Sequence, residues 1–283
     1  MSEHSNTPET PAIQPRHVFS SLPKYAAGKP PTPVEGLKQY KLSSNENPHG
    51  PIPEVARILA EFDATHRYPD PLSTKLRTAL AHRLGVDAHN IVTGAGSLGA
   101  LNQILKAFAG ASLDGTQDEV IYAWRSFEAY PILVGLLGAK SVQIPNLPNG
   151  AHDLNAMAQA VTDRTRVILV CTPNNPTGPA VTEAQMREFL TKIPENVVVV
   201  IDEAYYEFCT ASTVPAGQNA PVNGLNLLND HRDRAAHLLQ SAGARRAARG
   251  LLRLPPAADP VPAGCGHPVR RDRARRSRSR GLY

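Results

Sequence analysis

The sequence predicts an α/β fold in which helices cover a mainly parallel sheet. Segments of strand and helix character alternate from about residue 90 to residue 206, which is typical of βαβ units. Two β-branched runs, 167–170 and 197–201, each end in polar residues. Ligands of parallel sheets bind at the carboxyl ends of the strands, so Asn175 and Asp202 are expected to converge on one ligand.

Two helices are predicted before the first strand. Pro53–Phe62 carries Pro in its first turn, where a backbone N–H is not needed. Ser73–Leu84 has apolar residues at helical spacing, and Gly85 suits its C-cap. The turn-rich stretches Ser43–Pro51 and Tyr68–Pro71 are expected to be loops.

The alternating part of the fold begins near residue 90. Strands are expected at Asn90–Thr93, Glu119–Ala123, Ala139–Ile144, Val167–Val170 and Val197–Ile201, and helices at Ala100–Ala109, Pro131–Leu137 and Leu154–Ala160. Gly94–Gly99 forms a Gly-rich turn between the first of these strands and the first of these helices. This arrangement places backbone N–H groups around a phosphate, although glycines also serve plain turns.

Several short motifs match one family of enzymes. At Asn174–Gly178 and Asp202–Tyr205 the sequence resembles the fold-type I aminotransferases that use pyridoxal 5′-phosphate (PLP). Ser43–Pro48 and Tyr68–Asp70 look like the histidinol-phosphate and aromatic amino acid (phenylalanine) aminotransferase branch. Trp124–Glu128 looks like the actinobacterial aromatic members of that branch.

The resemblance covers about Tyr40 to His231 and implies a domain organisation. Residues 1–39 are expected to form an N-terminal arm that is partly disordered, because its first residues are polar and contain Pro. Residues 40–231 would form the three-layer large domain of a PLP transferase, incomplete, with the small C-terminal domain absent. Residues 232–283 are expected to be a disordered tail rich in Arg, Ala and Pro.

The resemblance implies that three residues at the strand ends hold the cofactor ring. Asp202 would lie beside the pyridine nitrogen, because a carboxylate there raises the pyridinium pKa and keeps the electron sink effective. Asn175 and Tyr205 would hydrogen-bond the ring oxygen O3′. The alternatives are a strand-end Asp that caps a helix and an Asn that only forms a turn.

The same resemblance assigns the phosphate site and the ring face. Gly96, Ser97 and Leu98 match the turn that surrounds the PLP phosphate. Many relatives carry an acidic residue where Leu98 stands, so backbone donors are expected there. Phe127 matches the aromatic that stacks on the ring, whereas alone it would be assigned to the core. Tyr68 matches a tyrosine that reaches the phosphate in the partner subunit, which implies a homodimer.

One essential residue of the family is missing from the sequence. An aminotransferase uses a lysine to hold PLP as a Schiff base and to move a proton. In the family this lysine follows the Asp-Glu-Ala-Tyr stretch in a Ser-Lys-Ala type motif, but no lysine follows Lys192 here. No catalytic residue is therefore assigned, and PLP is expected to bind noncovalently at best.

The composition changes near Arg232. All eight lysines lie at or before Lys192, whereas 13 of the 22 arginines lie at or after Arg232. Synonymous codons for His237–Ser241, read one base later, can encode Thr-Phe-Ser-Lys-Ala, which matches the family's lysine motif. We therefore hypothesise that the tail is out of frame because of a frameshift near Arg232. The alternative is a basic arm that binds nucleic acid; no specific nucleic-acid partner is expected.

Composition also bounds the location and the chemistry. The sequence has no run of about 18 apolar residues and no apolar segment in its first 20 residues, so neither a membrane partner nor export is expected, and a cytoplasmic location is predicted. Cys171, Cys209 and Cys265 lack the spacing of metal ligands and are predicted to be free thiols, with no metal site.

Two functions of different classes remain open. The first is a PLP-dependent aminotransferase of amino acid biosynthesis that moves an amino group between an aromatic amino acid and a 2-oxo acid, with histidinol phosphate as the alternative donor. The second is a non-catalytic fragment with a nonspecific basic tail. The family resemblance favours the first function, and the missing lysine favours the second.

Overall fold

The structure, a computed structural model, describes residues 16–23, 32–40, 45, 49–209, 221–230, 236–241 and 247–252, with side chains described up to Leu227. All of these residues lie within one unit, residues 1–253. Residues 1–15, which are expected to be disordered, lie outside the described residues. The tail beyond Leu252 lies outside them as well. No helix of the described part is long and apolar enough to cross a membrane; the cytoplasmic location stays a prediction.

Seven strands form one sheet in the order β1-β7-β6-β5-β4-β2-β3. The strands are β1 Ile91–Ala95, β2 Glu119–Trp124, β3 Lys140–Pro145, β4 Thr165–Cys171, β5 Val198–Glu203, β6 Ala236–Ser241 and β7 Ala247–Leu252. Strand β7 pairs antiparallel with β1 and β6, and the other pairings are parallel. The predicted α/β fold with a mainly parallel sheet is confirmed.

Eight α-helices accompany the strands in the described residues. They are α1 Val18–Ser21, α2 Pro53–Ala60, α3 Thr74–Leu84, α4 Gly96–Phe108, α5 Ala129–Leu136, α6 Leu154–Gln159, α7 Glu183–Thr191 and α8 Gly224–Asp230. Helix α3 ends where Gly85 adopts the left-handed C-cap conformation, with φ +66°. Helix α7 begins with a capping box in which Thr182 and Gln185 bond each other's backbone N–H groups.

The core lies on both faces of the sheet. Val167 and Leu169 pack with residues of α4 and α5, whereas Ile168 and Val170 pack with residues of α3, α6 and α7. This alternation along β4 follows from the two-residue period of a strand. A strand that is buried on both faces reads as a continuous apolar run, which is the pattern seen in the sequence. The result is a three-layer arrangement.

The sheet extends beyond the boundary expected at residue 231. Within the segment predicted to be a disordered tail, the structure places β6 beside β5 and β7 between β6 and β1. Without these two strands, β1 would be detached from the sheet and β5 would present an unpaired edge. Any segment without Pro can form backbone hydrogen bonds with a neighbouring strand. Such a segment can therefore pair with the N–H and C=O groups at these edges, whichever side chains it carries. The frameshift itself stays a prediction.

Candidate active site

Four loops meet at one edge of the sheet, where the parallel strands β1, β2, β4 and β5 end. The last residue of β4, Cys171, pairs with Asp202 near the end of β5. The loops that follow carry the predicted cofactor residues. The topology therefore brings the end of β4 and the end of β5 side by side, as the βαβ pattern predicts.

Asp202 is buried, with 4% of its surface exposed, and it is held by two donors. The hydroxyl of Tyr130 donates to Asp202 Oδ2 at 2.7 Å, and the backbone N–H of Ala204 donates to Oδ1 at 3.2 Å. Burial raises the pKa of the Asp202 carboxyl, and the hydrogen bonds from Tyr130 and Ala204 oppose that rise. Tyr130 was not predicted as a site residue, because in a sequence a tyrosine in an apolar helix is indistinguishable from a core residue.

The hydroxyl of Tyr205 joins two loops. Its oxygen accepts hydrogen bonds from Asn175 Nδ2 at 3.4 Å and from Asn45 Nδ2 at 3.3 Å. Two amide donors occupy the lone pairs of this oxygen, so the phenolic proton remains available to an acceptor on a ligand. Asn45 was predicted only as part of a loop; it has a φ of 46°, a conformation that Asn tolerates.

Asn174 ties the loop after β4 to the loop after β2. Its Oδ1 accepts from the hydroxyl of Ser126 at 2.7 Å, and its Nδ2 donates to the carbonyl of Arg125 at 2.9 Å and to Thr177 Oγ1 at 2.7 Å. Both Asn174 and Ser126 are buried. Neither residue was predicted to have a role in the site. The signal available was the Asn-Asn pair, of which only Asn175 was assigned a role.

Gly96, Ser97 and Leu98 form the first turn of α4, at the end of β1. The N-cap position is Ala95, whose side chain cannot cap, so the N–H groups of this turn have no side-chain partner from the N-cap. Such groups, with the positive end of the helix dipole, suit a phosphate. A Cβ on Gly94 would lie 2.5 Å from the nitrogen of Ala100, so only glycine permits this close packing of strand and helix.

Phe127 and Tyr68 occupy very different surroundings. Phe127 is half-buried, and its ring meets the edge of the Tyr130 ring with centroids 5.7 Å apart. It therefore lies next to the residue that holds Asp202. The side chain of Tyr68 is fully exposed, at 102% of its reference area, and no described contact joins it to the other predicted site residues. Its assignment to a partner subunit stays a prediction.

The residues at this edge fit the noncovalent contacts of PLP. A buried carboxylate suits the ring nitrogen, the Asn175–Tyr205 pair suits O3′, and the uncapped first turn of α4 suits the phosphate. No lysine lies among the described residues of these loops; Lys140, for example, pairs with Glu119 at the start of β2, with Nζ 2.9 Å from Oε1. The described residues of these loops therefore offer no lysine amine that could form a covalent bond with PLP.

The chain is similar to known proteins that carry one name. The chain is 48% identical over 203 residues to an aromatic amino acid aminotransferase of Streptomyces coelicolor. The matched region covers 71% of this chain and 55% of the relative. It is 45% identical over 220 residues to the enzyme of the same name from Cutibacterium acnes, covering 76% and 57%. The chain thus spans a little over half the length of these relatives.

Solved structures share the fold of this chain. The histidinol-phosphate aminotransferase of Sinorhizobium meliloti, solved in complex with PLP, matches with a TM-score of 0.60 and 25% identity over 73% of this chain and 54% of that one. An aminotransferase of Mycobacterium tuberculosis shares the fold, with a TM-score of 0.58 and 22% identity over 74% and 55%. The sequence model of the aminotransferase class I and II family matches residues 38–251. The chain belongs to the aminotransferase class I and II family.

Proposed function

We propose that this edge of the sheet binds PLP and serves the transfer of an amino group between an aromatic amino acid and a 2-oxo acid. The observation that carries the proposal is the buried Asp202 carboxylate, which is held by Tyr130 beside the Asn175–Tyr205 pair. When bound, PLP supplies an electron sink for charge that develops at the substrate α-carbon. The protein's part is to bind the cofactor and to tune its ring.

Each residue has a role that follows from its surroundings. Asp202 would accept a hydrogen bond from the protonated ring nitrogen and favour its charged form, because the two opposite charges stabilise each other. Tyr205, whose oxygen already accepts from Asn175 and Asn45, would donate its proton to O3′. The first turn of α4 would bind the phosphate through backbone N–H groups. Phe127 would cover one face of the ring.

The aromatic donor is favoured by the names of the relatives. Eight relatives that are 43–48% identical to this chain are named aromatic amino acid aminotransferases. Histidinol phosphate is the alternative donor, since a structure of similar fold and 25% identity carries that name. The missing lysine supports the other class of function, a non-catalytic fragment that binds the cofactor noncovalently.

A homodimer is part of the proposal. None of the residues of α2 is buried, although this helix and its flanks carry large apolar side chains. The exposed apolar residues are Ile52, Val55, Ile58, Leu59 and Phe62. An apolar face of this kind is typical of an interaction surface. A second copy of the chain would cover it and could bring Tyr68 to the neighbouring phosphate site.

The proposal is tested by titrating the purified chain with PLP and with 4′-deoxypyridoxine 5′-phosphate, which lacks the reactive aldehyde. We expect similar affinity for both, because no covalent bond contributes. Asp202→Asn should weaken the binding of both about tenfold or more, since a hydrogen bond to a charged group is lost. Asp163→Asn, at an exposed position, is the matched control.

Two results would contradict this proposal. If neither compound binds with saturation, the site does not hold the cofactor. If PLP binds far more tightly than the analogue and borohydride fixes it to a lysine outside these loops, the cofactor is held at another site.

A further inference from the structure

Tyr130 contacts both residues that are predicted to touch the cofactor ring, Asp202 and Phe127. It is buried, with 1% of its surface exposed, and its hydroxyl donates to Asp202 Oδ2 at 2.7 Å. Its ring packs edge-on against Phe127 at 5.7 Å between centroids and against Tyr122 at 5.6 Å. One side chain therefore contacts both the carboxylate expected at the ring nitrogen and the aromatic expected on the ring face.

The Asp202 carboxylate depends on few donors. Among the described residues, only Tyr130 and the N–H of Ala204 donate to it. In the part of the chain that the structure describes, the titratable groups around it are Tyr130 on α5, Cys171 on β4 and Glu203 on β5, and none of them is a cation. A buried carboxylate without a cation remains charged only through hydrogen bonds. The hydrogen bond from the Tyr130 hydroxyl is the shorter of the two.

The contact also directs the carboxylate. With Oδ2 engaged by Tyr130 and one side of Oδ1 engaged by Ala204, the group cannot rotate without breaking a buried hydrogen bond. One lone pair on Oδ1 is left for a ligand. A carboxylate that is fixed in this way requires no reorganisation when a cationic ring nitrogen arrives.

We propose that Tyr130 is a positioning residue that keeps Asp202 ionised and aimed at the cofactor ring while it supports Phe127 against the ring face. This inference rests on the proposed function for its purpose. The Tyr130–Asp202 contact itself can be tested in the protein without cofactor, so the two ideas can fail separately.

The direct test is the infrared carboxyl band of Asp202, followed with pH in the cofactor-free chain and assigned by its loss in Asp202→Asn. In Tyr130→Phe the midpoint of Asp202 protonation should rise by about one pH unit or more, because a hydrogen bond to the charged form is lost. Tyr122→Phe is the matched control: its hydroxyl is in the same aromatic cluster but accepts from Gln143 Nε2 at 3.1 Å. The control should leave the midpoint unchanged.

A second variant guards against a folding defect in Tyr130→Phe. Replacing Tyr130 by 3-fluorotyrosine keeps the ring and makes the hydroxyl a stronger donor, so the Asp202 midpoint should fall instead of rise. Opposite shifts in the two variants cannot come from a general loss of packing. Equal midpoints in the unmodified chain, Tyr130→Phe and the fluorinated chain would overturn the proposal.

The cofactor arm of the experiment separates this inference from the proposed function. Tyr130→Phe should bind 4′-deoxypyridoxine 5′-phosphate about tenfold more weakly and shift the absorbance of the bound ring toward its neutral-nitrogen form. If the unmodified chain does not bind the analogue while the Asp202 midpoint still shifts, the proposed function fails and the role of Tyr130 in ionising Asp202 stands. If the analogue binds equally well to both chains and no midpoint moves, Tyr130 has no positioning role.

Discussion

The hydroxyl of Ser126 donates a 2.7 Å hydrogen bond to Oδ1 of Asn174, and this buried contact joins the loop after β2 to the loop after β4. Asn174→Ala would leave the Ser126 hydroxyl and the Arg125 carbonyl without this partner. We expect the free energy of unfolding in urea to fall by about 1–3 kcal/mol. We also expect weaker binding of 4′-deoxypyridoxine 5′-phosphate, since Phe127 and Asn175 lie on the two loops.

Asn149→Ala is the control for this prediction. Asn149 is an exposed loop residue whose Oδ1 accepts from the N–H of Ala151. Its replacement should leave the affinity for the analogue unchanged. If Asn174→Ala kept the affinity of the unmodified chain, the two loops would not depend on each other.

Much of the fold could be predicted because strands and turns leave local patterns. The β-branched runs of β4 and β5, and the polar residues after them, mark both the strands and the edge of the sheet that carries the candidate site. Helix α4 was expected to begin at Ala100, but it begins at Gly96, because the Gly-rich turn is itself the first turn of the helix. A local pattern shows the turn but not which of its residues join the helix.

The residues that support the site were harder to predict. Tyr130 contacts Asp202 and Ser126 contacts Asn174 across 72 and 48 residues of chain, respectively. No spacing rule in a single sequence relates residues so far apart. Asn45 was read as part of a turn for the same reason. Strands β6 and β7 were not predicted, because their sequence has no pattern typical of a strand. They pair with the free edges of β5 and β1, and those edges are visible only in the three-dimensional structure.

The unfolding free energy should fall at acid pH because of His152. This side chain is buried, and neither ring nitrogen has a hydrogen-bond partner among the described residues. Burial lowers the pKa of His152 below its ordinary 6.5, although the nearby Asn174 side chain opposes the change. The unfolded chain therefore takes up the proton first, and the folded state loses stability as pH falls below about 6.5.

The measurement is the urea unfolding free energy of His152→Phe between about pH 5 and pH 8, the range in which histidine titrates. Relative to the unmodified chain, the variant should gain stability as pH falls, by up to about 1 kcal/mol per pH unit. His82→Phe, at an exposed position of α3, should show no such trend. Parallel pH profiles for the unmodified chain and His152→Phe would show that burial does not shift the pKa of His152.

Glu203 gives a pH dependence of the opposite sign. Its side chain is fully buried, Oε1 accepts from the N–H of Gly224 at 2.9 Å, and Oε2 has no partner among the described residues. Burial raises the pKa of Glu203 from 4.5 to about 8, with the charge of Asp202 as a further cause and the Gly224 N–H opposing it. The folded state therefore binds a proton that the unfolded chain releases, and stability falls as pH rises from 4.5 to about 8.

Glu203→Gln retains an acceptor for Gly224 and removes the titration. Its stability advantage over the unmodified chain should grow by on the order of 1 kcal/mol per pH unit across that range and then level off. Glu195→Gln, at an exposed position just before β5, serves as the control in the same urea measurements. A constant difference between Glu203→Gln and the unmodified chain would mean that Glu203 is ionised throughout.

The apolar face of α2 predicts self-association. Leu59 is 69% exposed, and Ile58 is 57% exposed on the same helix. Leu59→Glu should raise the dimer dissociation constant about tenfold or more in sedimentation equilibrium, because burying an unpaired charge opposes association. Glu54→Gln, at an exposed position of α2, should change the dimer dissociation constant by no more than about twofold. An unmodified chain that stays monomeric at all accessible concentrations would remove the basis for assigning Tyr68 to a partner.

The described residues of the candidate site include no lysine. The backbone of Gln240 pairs with that of Glu203, one residue after the pair formed by Asp202 and Leu239. Residue 240 thus lies near the end of β6, on the strand next to the one that carries Asp202 and at the same edge of the sheet. The shifted codon reading of His237–Ser241 places its lysine at the same position. The strand pairing and the codon fit are separate arguments, and they agree on residue 240.

Gln240→Lys should therefore give a borohydride-stable PLP adduct on the peptide that contains residue 240, detected by mass spectrometry. The unmodified chain, which has eight lysines at or before Lys192, should give no such adduct. The double variant with Asp202→Asn should form the adduct in lower yield, because the ring is bound less tightly. An adduct on one of the eight existing lysines in place of residue 240 would show that β6 does not bring this position to the cofactor site. It would also remove the structural support for a frameshift that displaced the family's lysine.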